Sequence, residues 1–180
     1  MTDLLSDEDI LSNVLNKSRV AEAAARKRRR TRQLIDWKAP GFAAKARILT
    51  SFGQLPVEAL RRNDPVKTSN GNFLKVAWID KFGLDAEFMS VQPSAQPMLI
   101  PAGTFASNRP ETDILMSPAQ RLHIGPSVGS GAVKPASDLA GWGRITRKNH
   151  TSFTYFIFGF ETDCTVSVEG LWCDIPARQY

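Results

Sequence analysis

Pro40-Gly41-Phe42-Ala43-Ala44-Lys45-Ala46-Arg47-Ile48-Leu49-Thr50 is where this chain changes character. Upstream, residues 6–35 contain neither Gly nor Pro. Ser6 followed by Asp7, Glu8 and Asp9 reads as a helix start, with acids near the positive end of the dipole. Ile10, Leu11, Val14 and Leu15 recur at helical spacing, and Ala21-Glu22-Ala23-Ala24-Ala25 favours helix. These signals predict a helical arm, broken near Asn16–Ser18, that Pro40 closes.

Downstream of Ala46 the pattern is one of short strands punctuated by turn residues. Arg47–Ser51 and Gly53–Val57 read as a hairpin, Glu58–Arg62 as a turn, and Pro65–Thr68 as a strand before the Ser69-Asn70-Gly71-Asn72 turn. Phe73–Phe82 alternates well enough to predict one long strand. Met98–Ile100, Ile114–Met116 and Leu122–Ile124 are short strands, and Gly125–Gly143 is a Gly-, Pro- and Ser-rich loop. Thr151–Phe160, Thr165–Val168 and Leu171–Ile175 complete the set, the last two joined by a Glu169-Gly170 turn. Many short strands with regular turns predict an all-β sandwich or barrel-like fold. The expected organisation is a basic helical arm over 1–39 and a β domain over 40–180.

Composition narrows the function classes. The chain has 180 residues and 42% hydrophobic content, enough for one domain with a real core plus an appendage. No apolar run approaches the roughly 20 residues needed to cross a bilayer. Met1 to Asp9 is acidic, the reverse of a signal peptide's positive start, so a cytoplasmic protein is expected. Cys164 and Cys173 have a spacing that fits no metal motif, and they read as reduced, buried thiols. Neither a metal nor a cofactor is expected.

Several phrases, in order, resemble bacterial Hedgehog/intein (Hint) domains. Ile48-Leu49-Thr50 with Gly53, Pro56-Val57-Glu58 and Leu60 opens the series. Asn63-Asp64-Pro65-Val66-Lys67-Thr68 resembles the family's Gly-Asp-x-Val-x-Thr, with Asn63 for the Gly, a residue that tolerates positive φ. Asn70-Gly71, then Val76-Ala77-Trp78-Ile79, is similar to an Asp-Gly turn followed by a Val-x-Trp-Ile strand. Ile100-Pro101-Ala102-Gly103-Thr104 resembles Ile-x-Ala-Gly-Ala, and Asp113 to Leu122 resembles Asp-Leu-x-Leu-Ser-Pro-x-His-Arg-x-Leu. The resemblance covers roughly Gly41 to Pro176 and implies a Hint-like β fold.

It also implies a self-cleavage that this chain cannot perform in the family's way. The first strand of such domains begins with Cys or Ser, which attacks the preceding carbonyl. Gly41 stands there. The Ser-Pro-x-His motif supplies a proton-shuttling imidazole, and Gln120 stands at that position. Ile157 and Asp163 occupy the places of two later histidines. His123, one residue past Leu122 on an apolar strand, is expected on the opposite sheet face as a hydrogen-bonded structural residue. His150 is expected exposed at a turn, and Ser117 and Asp113 are expected to cap turns.

The other strong signal is Arg26, Lys27, Arg28, Arg29, Arg30 and Arg32. Between Lys17 and Lys38 nine basic residues face only Glu22 and Asp36. Such a cluster can contact phosphates of RNA or DNA, dock on an acidic protein or larger assembly, or be a solvated face. No aromatic interleaves with it before Trp37, so base stacking has little support. The reading that combines these features is a non-catalytic Hint-like binding or structural component, attached to a partner by its basic arm. The alternatives are an active autoprocessing domain with a displaced nucleophile and a nucleic-acid-binding protein.

Overall fold

A computed structural model describes residues 36–105, 108–125, 128 and 131–177. The expected helical arm, including Arg26, Lys27, Arg28, Arg29, Arg30 and Arg32, lies outside the described residues. Asp36–Tyr180 forms one unit by its internal contacts.

Its strands are short because turn residues interrupt them, as the sequence pattern requires. In chain order they are β1 (Arg47–Thr50), β2 (Gly53–Pro56), β3 (Pro65–Lys67), β4 (Phe73–Lys75), β5 (Trp78–Leu84), β6 (Met98–Ile100) and β7 (Ile114–Met116). There follow β8 (Arg121–Ile124), β9 (Ala132–Pro135), β10 (Thr146–Arg147), β11 (Phe153–Gly159), β12 (Cys164–Val168) and β13 (Leu171–Ile175). An eight-stranded sheet runs β4-β3-β1-β12-β13-β8-β9, with β2 paired to β1. A three-stranded sheet runs β10-β6-β7, and β11 pairs with β5.

Alternation of burial explains why the chain takes these positions. On β13, Leu171, Cys173 and Ile175 are buried while Trp172 and Asp174 are less so. On β6 and β7, Met98, Ile100, Ile114 and Met116 turn inward. Successive side chains point to opposite faces, so each strand contributes every second residue to the core. That core includes Ile48, Val66, Met98, Met116, Leu122, Phe158, Val166 and Cys173. A smaller cluster holds Leu84, Met89, Ala95 and Tyr155, with Trp37, Phe82 and Phe153 against it.

Two turns carry positive φ where the sequence supplies suitable residues. Glu169 (φ 49°) and Gly170 (φ 80°) join β12 to β13 as a two-residue hairpin, whose twist matches that of the strands. Glu169 is held in this conformation by Arg47, whose Nε and Nη2 donate to its carboxylate at 2.9 and 2.7 Å. Asn63 adopts φ 72°, the conformation expected of a residue standing in for Gly.

Three local expectations are corrected. Phe73–Phe82 is not one strand: Val76 N–H donates to Asp64 O at 3.0 Å, and Ala77 N–H donates to Gly159 O at 2.9 Å. The chain therefore leaves the β3–β4 ladder and joins β11 without breaking its alternation. Gly125–Gly143 is not wholly loop, since it contains β9 and a 3-10 turn over Ala136–Leu139. A short helix, α1 (Ala86–Val91), adds to the strands, capped by Asp85 Oδ1, which accepts from Phe88 N–H at 2.8 Å.

Candidate functional site

The Gly41-Phe42-Ala43 backbone is threaded between β7 and β11. Phe42 exchanges both hydrogen bonds with Phe156, at 2.9 and 2.8 Å. On the other side, Ala43 N–H donates to Leu115 O at 2.9 Å, and Ser117 N–H donates to Gly41 O at 2.8 Å. This segment joins what are otherwise a three-stranded and a two-stranded sheet.

Gly41 has φ 152°, a conformation that side-chain-bearing residues rarely adopt. A Cβ placed there would lie 3.0 Å from Tyr155 Cβ, 3.2 Å from Ile157 Cγ2 and 3.3 Å from Phe156 O. The site is therefore shaped to glycine by both backbone and packing.

Beside Gly41 is a cavity of about 190 Å³ lined by residues including Pro40, Gly41, Trp78, Gln120, Ile157 and Ala177. Three positions that the sequence resemblance assigned to catalysis thus share one cavity, and what occupies them is a glycine, an amide and an aliphatic chain. Gln120 is 1% exposed. Its Nε2 donates to Asp174 O at 2.9 Å and to Arg121 O at 3.2 Å, while its Oε1 is buried without a partner. An amide so placed can hydrogen-bond but has no proton to exchange at neutral pH.

The fourth position, Asp163, does not line the cavity. Its Oδ1 accepts from Ala177 N–H at 2.6 Å, so it fixes the Pro176–Ala177 segment that forms part of the wall. His123 also stands apart. Its neighbour Leu122 is buried in the core, and His123 turns the other way, with Nε2 2.5 Å from Asp174 Oδ1. Thr165 Oγ1 donates to the same carboxylate oxygen at 2.9 Å. His150 departs from expectation: it is half-buried, its ring packed edge-on against Phe153 at 5.1 Å. The fully formed aromatic cluster beside it takes the imidazole as an extra wall.

The thiols offer no ready substitute nucleophile. Cys164 and Cys173 are both free, and Cys173 is fully buried. Burial pushes the Cys164 thiol up to about 12, with the charges of Asp163 and Asp174 adding to the effect. Burial pushes Cys173 up as well. Thiolate, the reactive form, is scarce at neutral pH in such surroundings.

The segment just ahead of Gly41 is held by a device that the sequence did not reveal. Trp37 Nε1–H donates to Ser117 Oγ at 3.0 Å, and Ser117 Oγ–H donates to Ala39 O at 2.6 Å. Ser117 also accepts from Ala119 N–H at 3.2 Å, which is the turn-capping role expected of it. The Trp37 ring lies 5.8 Å from Phe82, 5.9 Å from Phe88 and 6.3 Å from Tyr155. In sequence Trp37 is only the first aromatic after a basic run, because the four rings that meet come from distant elements. Asp113 behaves as expected, its Oδ1 accepting from Ala102 N–H at 2.8 Å.

The sequence profile of a family described as Hint domain matches residues 40–175. No curated protein matches the chain by sequence. Among solved structures, the chain is similar in fold to a DnaB intein from Synechocystis sp. PCC 6803, at 9% identity and a TM-score of 0.52. That likeness covers 76% of this chain and 99% of the intein. The Msm DnaB1 intein splicing domain bound with zinc gives 11% identity and a TM-score of 0.52, covering 74% of this chain and 98% of that one. Among the described residues here, no group of three or more His, Cys, Asp and Glu side chains is arranged to hold a metal. No helix among them is long and apolar enough to cross a membrane.

Proposed function

The chain belongs to the Hint domain family, and from that premise we propose that it is a non-catalytic member acting as a binding or structural component. The observation that carries this reading is Gly41. Self-cleavage needs an oxygen or sulfur at that position, and both the φ of 152° and the 3.0 Å approach to Tyr155 Cβ disfavour any side chain. Gln120 and Ile157 beside it supply neither a general acid nor a base.

The Trp37–Ser117–Ala39 contacts support the same reading from the upstream side. In a cleaving domain the segment before the nucleophile is the leaving part, and here it is fastened to the body. The basic cluster Arg26–Arg32 is the attachment element in this proposal, joining the domain to a protein partner or larger assembly. Intact mass of freshly expressed protein tests the claim: one full-length species is expected, and a cut at Pro40–Gly41 contradicts it.

A further inference from the structure

We infer that the cavity beside Gly41 is a binding site for a small, uncharged, largely apolar molecule carrying one hydrogen-bond donor, of the size and kind of phenol. The first argument is size. An apolar protein cavity of about 150 Å³ accommodates benzene, and this one measures about 190 Å³.

The second argument is the lining. Pro40, Phe42, Trp78, Ile157 and Phe158 give apolar and aromatic walls, and none of the lining side chains is charged. An ionic ligand would lose its hydration there without compensation.

The third argument is Gln120. Its two N–H groups are directed at the carbonyls of Asp174 and Arg121, so the amide cannot turn over without facing two acceptors with an oxygen. That fixes Oε1 as the remaining polar atom of a side chain 1% exposed, without a partner, on the wall of an apolar cavity. A buried acceptor left unmade is costly, and a ligand O–H or N–H recovers the bond. Aliphatic Ile157 contributes apolar surface beside the donor's expected partner.

This inference rests on reading the cavity as a site without its reaction, but the two fail separately. A cut chain overturns that reading; an uncut chain that binds no phenol overturns only this one. The experiment is an NMR titration of the full chain with phenol, toluene and benzoate, following the Trp78 indole and the Gln120 side-chain amide. Phenol should saturate in the low-millimolar range and shift both signals, with toluene about five- to tenfold weaker for lack of a donor. Benzoate should not bind. Gln120→Leu should abolish the preference for phenol while keeping toluene binding. Should that variant fail to fold, the comparison in the parent chain decides. Absence of saturable phenol binding, equal affinity for phenol and toluene, or shifts confined to residues away from Trp78 and Gln120 each overturn the site.

Discussion

Gly41 shows how a single position can decide between chemistry and structure. Its φ of 152° and the surrounding Tyr155, Ile157 and Phe156 atoms make glycine the residue that fits. Restoring the missing thiol should therefore not restore the reaction. Gly41→Cys is expected to destabilise the fold by roughly 2–4 kcal/mol through backbone strain and overpacking. It should also leave the chain uncut, because Gln120 still has no proton to shuttle. Urea unfolding and intact mass of the variant check both halves.

The native thiols give a second prediction at this scale. Cys164 titrates at about 12 in the folded chain against an ordinary 9.0, and Cys173 and Tyr155 are displaced in the same direction by burial. The folded state then holds protons that the unfolded state has released. Stability is fully present below the ordinary thiol value and falls as pH rises from about 9 toward about 12. Urea midpoints measured across that window should decline, and Cys164→Ala should flatten the decline; a midpoint independent of pH there would contradict the assignment.

At the scale of elements, the strap over residues 37–43 organises the molecule. Phe42 is stitched to β7 and β11 by backbone bonds, while Trp37 is held by three rings and by Ser117. Trp37→Ala should cost about 2–4 kcal/mol, from lost aromatic burial and packing. Ser117→Ala should cost about 1–2 kcal/mol, because it frees both the indole N–H and the Ala39 carbonyl. The two residues share a hydrogen bond, so the double variant should lose less than the sum of the singles. Additive losses would show that the strap is not one unit.

The elements also show what a single sequence can and cannot convey. β6, β7 and β13 were legible because each buries one face, leaving an alternating pattern. The break between β4 and β5 was not, because Val76 and Ala77 keep the alternation while exchanging hydrogen-bond partners. α1 carries a readable start in Asp85 with Glu87 in its first turn, but six residues are too few to establish a helical period. The Trp37 cluster depends on contacts between Trp37, Phe82, Phe88 and Tyr155, which only the assembled fold brings together.

Over the whole molecule, the Hint fold and the convergence of Gly41, Gln120 and Ile157 follow from phrases the sequence displays in order. The separate roles of Asp163 and His123 do not, since each depends on a partner more than ten residues away, Ala177 and Asp174. The basic cluster supplies the remaining prediction. Replacing Arg28, Arg29 and Arg30 by Ala should abolish capture of the partner without shifting the thermal unfolding of the β domain. If the partner is nucleic acid, binding must weaken steeply with salt, as counterion release requires. Salt-insensitive protein capture that survives the replacement would remove the cluster from the account.

The central claim is that this Hint domain keeps its fold without its cleavage. Intact mass spectrometry of the freshly purified chain, followed over days with and without hydroxylamine to trap any ester or thioester, tests it most directly. A single species at the mass of the full 180-residue chain is the predicted result. Accumulation of a fragment that begins at Gly41 would contradict it.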